Sequence, residues 1–200
     1  MSPKPEFELF VQALVMNNGF EVRSNQILRG KCVEHEVDAV AKKDGVTFFV
    51  EAKHHFSYHG LTGLDESRIA PAILEDVTEN TIPERIDWKI DRAMIVTNTK
   101  YSDHAIMYGS CRNILQIGWS SPENLGLQSM IEEKRLYPLS CLRGLGGEIR
   151  MKLVEAGIVL IGQLLSENLH ELAKKTGLRQ DVLSEIVEKT RFTSDAIWNT

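Results

Sequence analysis

The first periodic segment of the chain covers residues 6–17, where apolar side chains recur at the three- and four-residue spacing of one helix face. Asn18 and Gly19 follow, and such a pair is typical of a helix end. The pattern predicts a helix over 6–17 with a single apolar face. That face consists of Phe7, Phe10, Val11, Leu14 and Val15.

From Glu34 the period changes to two, and the segment VTFFVEAK (46–53) is rich in β-branched and aromatic residues. Asp44-Gly45 between the two segments favours a two-residue type I′ turn, so we predict a β-hairpin. The turn pairs Lys43 with Val46, and this register places Asp38 opposite Glu51 and Glu36 opposite Lys53.

Strand alternation predicts that these four charged side chains share one face of the hairpin. The other face is then apolar, and a slip of one residue would bury charge. Directly opposed carboxylates repel each other, but they are close enough to share a Mg²⁺ ion. The alternative is the solvated face of an edge hairpin, with a surface salt bridge between Glu36 and Lys53. The predicted apolar face consists of Val37, Ala39, Ala41, Phe48, Val50 and Ala52.

The segments that follow predict an α/β domain. A helix is expected over 65–80, a buried strand over 93–98, a helix capped by Ser102 and a strand over 114–119. Strand, helix and strand in this order indicate a parallel crossover. After a short helix to about residue 134, the break at Tyr137-Pro138 separates a predicted α/β domain (1–135) from a small all-α domain (139–200).

Composition and charge narrow the class of protein. The content of 42% hydrophobic and 26% charged residues is ordinary for a globular protein. The chain has no run of roughly 20 apolar residues and no secretory layout at its start, so we expect no membrane span and a cytoplasmic location. The three cysteines are too far apart to indicate a disulfide framework or a zinc site.

The net charge of −5 argues at first against nucleic-acid binding. Of the 23 basic and 28 acidic residues, 15 and 20 lie in 1–138, and 8 of each lie in 139–200. The acidic excess therefore lies in the first part of the chain. It fits a site for divalent cations, and it fits an acidic solvated surface equally well.

The spacing from Asp38 to Glu51-Ala52-Lys53 resembles the D…(D/E)xK motif of the PD-(D/E)XK nuclease superfamily. Phe7-Glu8 and the segments 34–55 and 95–105 look like the Mrr-type restriction endonuclease domain, and the resemblance covers about residues 5–120. It implies a restriction-endonuclease-like fold, with a central mixed sheet flanked by helices.

The same resemblance assigns roles at the hairpin. Asp38 and Glu51 would ligate Mg²⁺, or Mn²⁺ in its place, together with the Ala52 carbonyl, and Lys53 would orient or deprotonate the attacking water. Glu8 matches a family acid that reaches this cluster, and a solvent-facing helix residue is the alternative. Similar modules often follow an ATP-cone domain, for which there is no room here, so no nucleotide cofactor is expected.

Histidines crowd the end of the second predicted strand. His55 and His59 have a spacing that can bind zinc on one helix face, although no third ligand stands at a recognisable spacing. By alternation His55 shares the face of Glu51 and Lys53, so a contact to the scissile phosphate or to water is a hypothesis. The alternative is a ring at the edge of the core that hydrogen-bonds to backbone.

The segment 139–189 resembles tandem helix-hairpin-helix modules, whose hairpin glycines let backbone N–H groups approach a DNA phosphate. The first hairpin would use Gly144 and Gly146, and the second would use Gly177. The rival interpretation is a small bundle for protein contacts, with Leu145, Leu153, Val154 and Ile158 as its core. Basic residues cluster near the second hairpin and make it the better DNA-facing candidate: Lys174, Lys175 and Arg179.

These features together predict a Mg²⁺-dependent, restriction-type endonuclease that hydrolyses DNA phosphodiester bonds. Double-strand cutting needs two active sites, so a homodimer is expected. One alternative is a DNA-binding or regulatory module with the nuclease fold and little activity. Another is a junction-resolving or RNA-processing nuclease.

Overall fold

The computed structural model describes residues 4–81, 88–123 and 125–198. The chain divides into two compact units. One unit is Leu14–Met130, and the other combines Met1–Ala13 with Ile131–Thr200. The division after Met130 lies close to the predicted domain boundary at Tyr137-Pro138. Met1–Ala13, however, belong to the same unit as the C-terminal helices and not to the predicted α/β domain.

The 14–130 unit contains a five-stranded mixed sheet, which confirms the predicted α/β class. The strand order is β1-β2-β3-β5-β7; β1, β2 and β3 are antiparallel neighbours, and β3, β5 and β7 are parallel. Two short strands, β4 and β6, form a separate parallel pair. The strands are β1 (Glu21–Arg29), β2 (Glu34–Lys43), β3 (Val46–Lys53), β4 (Leu61–Thr62), β5 (Arg92–Thr97), β6 (Lys100–Tyr101) and β7 (Leu115–Ile117).

The helices follow the predicted order. The Ser102 side chain accepts the Ala105 N–H and caps α3, as the sequence indicated. The helices are α1 (Lys4–Asn17), α2 (Leu64–Thr78), α3 (Asp103–Cys111), α4 (Leu127–Lys134), a 3-10 helix (Leu139–Cys141), α5 (Gly147–Glu155), α6 (Ile161–Ser166), α7 (Leu169–Thr176) and α8 (Gln180–Trp198).

The hairpin turn forms as predicted. Asp44 and Gly45 have φ values of 51° and 81°, the positive values that a type I′ turn requires. The ladder between β2 and β3 runs from Lys43↔Val46 to Ala39↔Val50, which is the register expected from the turn.

The hairpin is not an edge of the sheet, so that alternative is wrong. β3 is the central strand, and β1 covers the outer side of β2. Val40 and Phe49 are fully buried in a cluster with residues of α2 and α3. On the opposite face Ala39 and Val50 are also fully buried. The middle of both hairpin strands therefore belongs to the core.

Strand β1 was not predicted from the sequence. Only Leu28 of its nine residues is buried, and polar residues dominate the rest. An edge strand with so few apolar positions lacks the alternation by which strands are recognised. Its place in the sheet follows from pairing with β2, which the sequence does not display locally.

Within the C-terminal unit, helices from α5 to α8 enclose one apolar cluster. Leu153 and Ile158 belong to it, Leu145 packs against it, and Val154 is buried, so all four residues of the proposed bundle core are buried or partly buried. In the described part of the chain no helix has both the length and the apolar character needed to cross a membrane.

Candidate active site

Asp38 lies where the ladder between β2 and β3 ends. The last pair is Ala39↔Val50, and one residue further Asp38 Oδ2 accepts the Ala52 N–H at 2.6 Å. Beyond this point β3 continues with β5, through pairs such as Glu51↔Ile95. The Asp38 carboxylate thus takes the place of a ladder carbonyl and lies beside the Glu51-Ala52-Lys53 segment.

The side-chain alternation of β2 is also interrupted at this position. Val37 and Val40 belong to the same buried cluster, although residues three apart in a regular strand point to opposite faces. Across from Asp38, Asn25 has a φ of 50° and falls between the pairs Ser24↔Ala39 and Gln26↔Val37. The alternation of β2 is therefore interrupted opposite a left-handed residue of β1.

The prediction for Glu36 is wrong as a consequence. Glu36 pairs with Ile27 of β1 and is exposed, and the β2–β3 ladder does not extend to a pair with Lys53. His35 and Val37 on either side of it face the α2 layer. Glu36 is thus separated from the carboxylate cluster, which contains Asp38 and Glu51.

Glu51 and Lys53 form an ion pair. Lys53 Nζ donates to Glu51 Oε2 at 3.0 Å. The side chain of Lys53 is 39% exposed and that of Glu51 is 17% exposed. Residues two apart on a strand share a face, which brings the two groups together. Asp38 is likewise half-buried, so the three groups are partly withdrawn from water.

The donor set at this point suits a hard cation that keeps several waters. It offers two carboxylates and a backbone carbonyl, which are the oxygen ligands that Mg²⁺ prefers. In the described ranges no group of three or more His, Cys, Asp or Glu side chains is arranged to hold a metal. A cation here would therefore depend on Asp38, Glu51, the Ala52 carbonyl and water.

His55 is held by residues that the sequence did not identify. Its N–H donates to Asn98 Oδ1 at 2.7 Å, and Asn98 Nδ2 donates to the His55 carbonyl at 2.8 Å. Its Nε2 lies 3.0 Å from Thr62 Oγ1, which also contacts Thr97 Oγ1 and Thr99 Oγ1 at 2.8 Å each. These contacts favour a structural role for the ring at the edge of the core.

The spacing of His55 and His59 does not fall on a helix. The segment from His54 to Gly60 is a loop between β3 and β4 and not a helix, so His55 and His59 do not share a helix face. Burial and the neighbouring His55 lower the pKa of His54, whose ring stands edge-on to Phe56.

Glu8 lies in α1, in the part of that helix that belongs to the unit with the C-terminal segment, and its side chain is partly buried. Within that unit the neighbouring Glu6 pairs with Arg150 of α5 at 3.5 Å. The assignment of Glu8 to the cluster remains a prediction.

The residues predicted to contact DNA lie at two exposed turns. Gly144, with a φ of 83°, and Gly146 precede α5, and Gly177, with a φ of 66°, ends α7. Lys174 is exposed, while Lys175 pairs with Glu167 and Arg179 pairs with Asp181. These acidic partners reduce the positive charge around the second turn.

A second polar cluster, not identified in the sequence, fixes the connection between β1 and β2. Asp76 of α2 accepts the Cys32 N–H at 2.8 Å and contacts His35 Nε2 at 2.8 Å. The hydrogen bond from His35 lowers the pKa of Asp76 to about 2. The same carboxylate raises the pKa of the Cys32 thiol, which disfavours a reactive thiolate.

The fold and site together define an α/β protein with a carboxylate–lysine cluster where the central strands of its sheet separate. No family model matches the chain. It is 35% identical over 175 residues to an uncharacterized protein of Archaeoglobus fulgidus, an alignment that covers 86% of this chain and 95% of that protein. The chain belongs to the family of this archaeal protein.

A solved structure extends the likeness to the whole fold. The crystal structure of AF1548, a protein of unknown function, matches with a TM-score of 0.81 and 33% identity over 94% of this chain and 96% of that one. Neither relative has an assigned activity.

Proposed function

We propose that this chain is a metal-dependent nuclease of the PD-(D/E)XK type that hydrolyses DNA phosphodiester bonds. The observation that carries the proposal is the hydrogen bond from the Ala52 N–H to Asp38, which joins the two halves of the motif at one point. A restriction-type endonuclease acting as a cytoplasmic homodimer is the specific form that we propose.

Asp38, Glu51 and the Ala52 carbonyl would hold the cation. Accepting the Ala52 N–H is compatible with this, since a carboxylate has two oxygens with about four acceptor positions. When bound, Mg²⁺ polarises the scissile phosphate and favours deprotonation of water.

Lys53 supplies a point positive charge next to the carboxylates. Its amino group contacts Glu51 and is partly exposed, so a short rotation of the side chain can bring it to a phosphate oxygen or a water. Half-burial strengthens this interaction, because the effective dielectric constant is lower than in bulk water.

The test is metal-dependent nicking of supercoiled plasmid by the purified full chain. We expect Asp38→Asn, Glu51→Gln and Lys53→Met to lower the rate by about a hundredfold or more, since each removes charge stabilisation worth several kcal/mol. Glu36→Gln and Lys89→Met remove similar charges at exposed positions and should retain the rate. Absence of cutting with every metal and methylation state tried would refute the proposal.

Metal binding gives an independent readout. Mn²⁺ titration followed by calorimetry should show one site per chain that is lost in Asp38→Asn and Glu51→Gln and kept in Glu36→Gln. If Asp38→Asn or Glu51→Gln lost plasmid nicking and still bound Mn²⁺, the role of that carboxylate would be in substrate binding rather than in metal binding.

A second candidate is a DNA-binding or regulatory module with the nuclease fold and little activity. The Lys53–Glu51 ion pair supports it, because the cluster partly neutralises its own charge in this arrangement. Under this alternative the C-terminal turns at Gly144 and Gly177 bind DNA. Plasmid binding without nicking, weakened by Lys174→Ala, would support it over the nuclease.

A further inference from the structure

The loop of residues 54–60 carries two strongly exposed aromatic rings. Phe56 is 80% exposed and Tyr58 is 78% exposed, more than any other large hydrophobic side chain that the structure describes. Single exposed apolar residues are common on protein surfaces. Two rings two residues apart, on the loop that leaves the proposed active-site strand, are a more specific arrangement.

The base of this loop is fixed although its rings are exposed. The paired hydrogen bonds between His55 and Asn98, at 2.7 and 2.8 Å, anchor its start. Gly60 N–H donates to the Ser57 carbonyl at 3.1 Å and closes a turn, and His54 stands edge-on to Phe56 with ring centroids 5.7 Å apart. A ring held on an anchored loop loses little conformational entropy when a ligand stacks on it.

The loop lies close to the proposed site. Phe56 is three residues after Lys53, so their Cα atoms are at most about 11 Å apart. Stacked nucleotides rise about 3.4 Å each, so this reach corresponds to about three nucleotides. At its other end the loop leads to Leu61, which pairs with the exposed Lys100 of β6. The loop with the two rings therefore runs between a lysine that precedes it, Lys53, and a strand whose partner carries a second lysine, Lys100.

We infer that Phe56 and Tyr58 form a stacking platform for an unpaired nucleobase, so that the substrate is a nucleic-acid strand with unpaired bases near the scissile phosphate. The inference rests on the proposed nuclease site, and within that function it replaces the duplex that a restriction-type enzyme cuts by a substrate with unpaired bases. Stacking on aromatic rings is the usual way in which proteins bind unpaired bases, and it accepts any base because each has a π-face.

Charge favours this substrate over continuous duplex. The affinity of a protein for duplex DNA depends largely on basic residues that neutralise many phosphates. This chain carries a net charge of −5, which disfavours such binding. The basic residues Lys175 and Arg179 are moreover paired with acids. An acidic protein with exposed rings beside its site gains more from stacking than from backbone contacts.

The test is binding of fluorescent oligonucleotides of about 12 nucleotides to the full chain in a chelator, where cleavage is excluded. Single-stranded DNA, single-stranded RNA and a duplex of the same sequence are compared. We expect both single strands to bind more tightly than duplex, and the tighter of the two identifies the sugar that the site prefers. Phe56→Ala and Tyr58→Ala should each weaken single-strand binding by about fivefold to a hundredfold and leave duplex binding unchanged.

Matched variants separate stacking from simple apolar contact. Phe56→Tyr keeps a π-face and should retain binding, whereas Phe56→Leu keeps an apolar surface and should lose it. Met107→Ala removes another exposed apolar side chain, on α3, and should have no effect. A 2-aminopurine placed in the strand should be quenched on binding, and this quenching should be absent in Phe56→Ala.

The result that overturns the inference is single-strand affinity unchanged in both alanine variants. Loss of self-association in those variants, with binding intact, would also overturn it and would make the loop an interface between two copies. Neither result bears on plasmid nicking by Asp38 and Lys53. Absence of nicking with ring-dependent binding intact would refute the nuclease while leaving the stacking platform.

Discussion

Replacing Thr62 by valine tests the polar network that lies behind the candidate site. Thr62 is fully buried, and its hydroxyl contacts Thr97, Thr99 and His55. A hydroxyl has one donor and two acceptor positions, so three partners saturate it. Valine has nearly the same volume as threonine, so the substitution removes only the hydroxyl and its three hydrogen bonds.

The magnitude follows from what each partner retains. The hydroxyls of Thr97 and Thr99 lie 3.3 Å apart and keep each other as partners, whereas His55 Nε2 loses its contact to Thr62. A polar group left without a partner costs about 1–3 kcal/mol when it is buried, and the partly buried His55 belongs in the lower half of that range. We therefore expect the free energy of unfolding to fall by about 1–2 kcal/mol, rather than by the sum of three hydrogen bonds.

Urea unfolding of the variants measures this change. Thr62→Ser keeps the hydroxyl and should lose only about 0.5–1.5 kcal/mol, the usual cost of one buried methyl group. Thr78→Val, at the exposed end of α2, should change stability by less than about 0.5 kcal/mol. The double variant with Thr97→Val should be non-additive, because the two hydroxyls share a bond.

The reasoning is wrong if Thr62→Val is as stable as the wild type at an unchanged dependence on urea. It is also wrong if Thr62→Ser is destabilised as much as Thr62→Val, because that result would trace the effect to packing rather than to the hydroxyl.

Three further predictions concern other parts of the fold. The hydrogen bond from His35 is the main reason why the pKa of Asp76 is lowered to about 2. The contribution of Asp76 to stability is therefore complete above about pH 4 and is lost as the pH falls towards 2. Asp76→Asn should flatten the stability–pH curve between these two pH values. Gly30→Ala would place Cβ 1.9 Å from Asp76 Oδ2 and 2.5 Å from the Val33 carbonyl, and it should cost about 1–3 kcal/mol in thermal unfolding. Burial raises the pKa of Tyr101, whose hydroxyl donates to the Ile95 carbonyl at 2.8 Å, so difference absorbance should show this phenol titrating only when the protein unfolds at high pH.

Local signals in the sequence predicted most of the elements. The turn at Asp44-Gly45 depends on two backbone conformations that these residue types favour, and it set the register from Lys43↔Val46 to Ala39↔Val50. The Ser102 cap of α3 is a similarly local interaction. Such features are encoded within a few residues and are therefore accessible from the sequence alone.

The features that were missed depend on contacts distant in sequence. Extrapolating the hairpin register past Ala39 failed because Asp38 takes the Ala52 N–H and the strands continue with different partners. The paired hydrogen bonds between Asn98 and His55 join residues 43 positions apart, and no sequence motif around either residue predicts them. The polar strand β1 is likewise defined by its partner rather than by its own pattern.

Three irregular features of the sheet lie next to Asp38, and together they are the best structural argument that this position is functional. The β2–β3 ladder ends beside it, Asn25 across from it has a left-handed backbone, and a side chain satisfies the Ala52 N–H. A sheet under selection for stability alone would keep both ladders regular, because a left-handed backbone within a strand is unfavourable even for asparagine, which tolerates it better than most residues. Asn25→Gly should therefore stabilise the protein if its backbone is strained, and plasmid nicking measured on the same variant tests whether that conformation also shapes the site around Asp38.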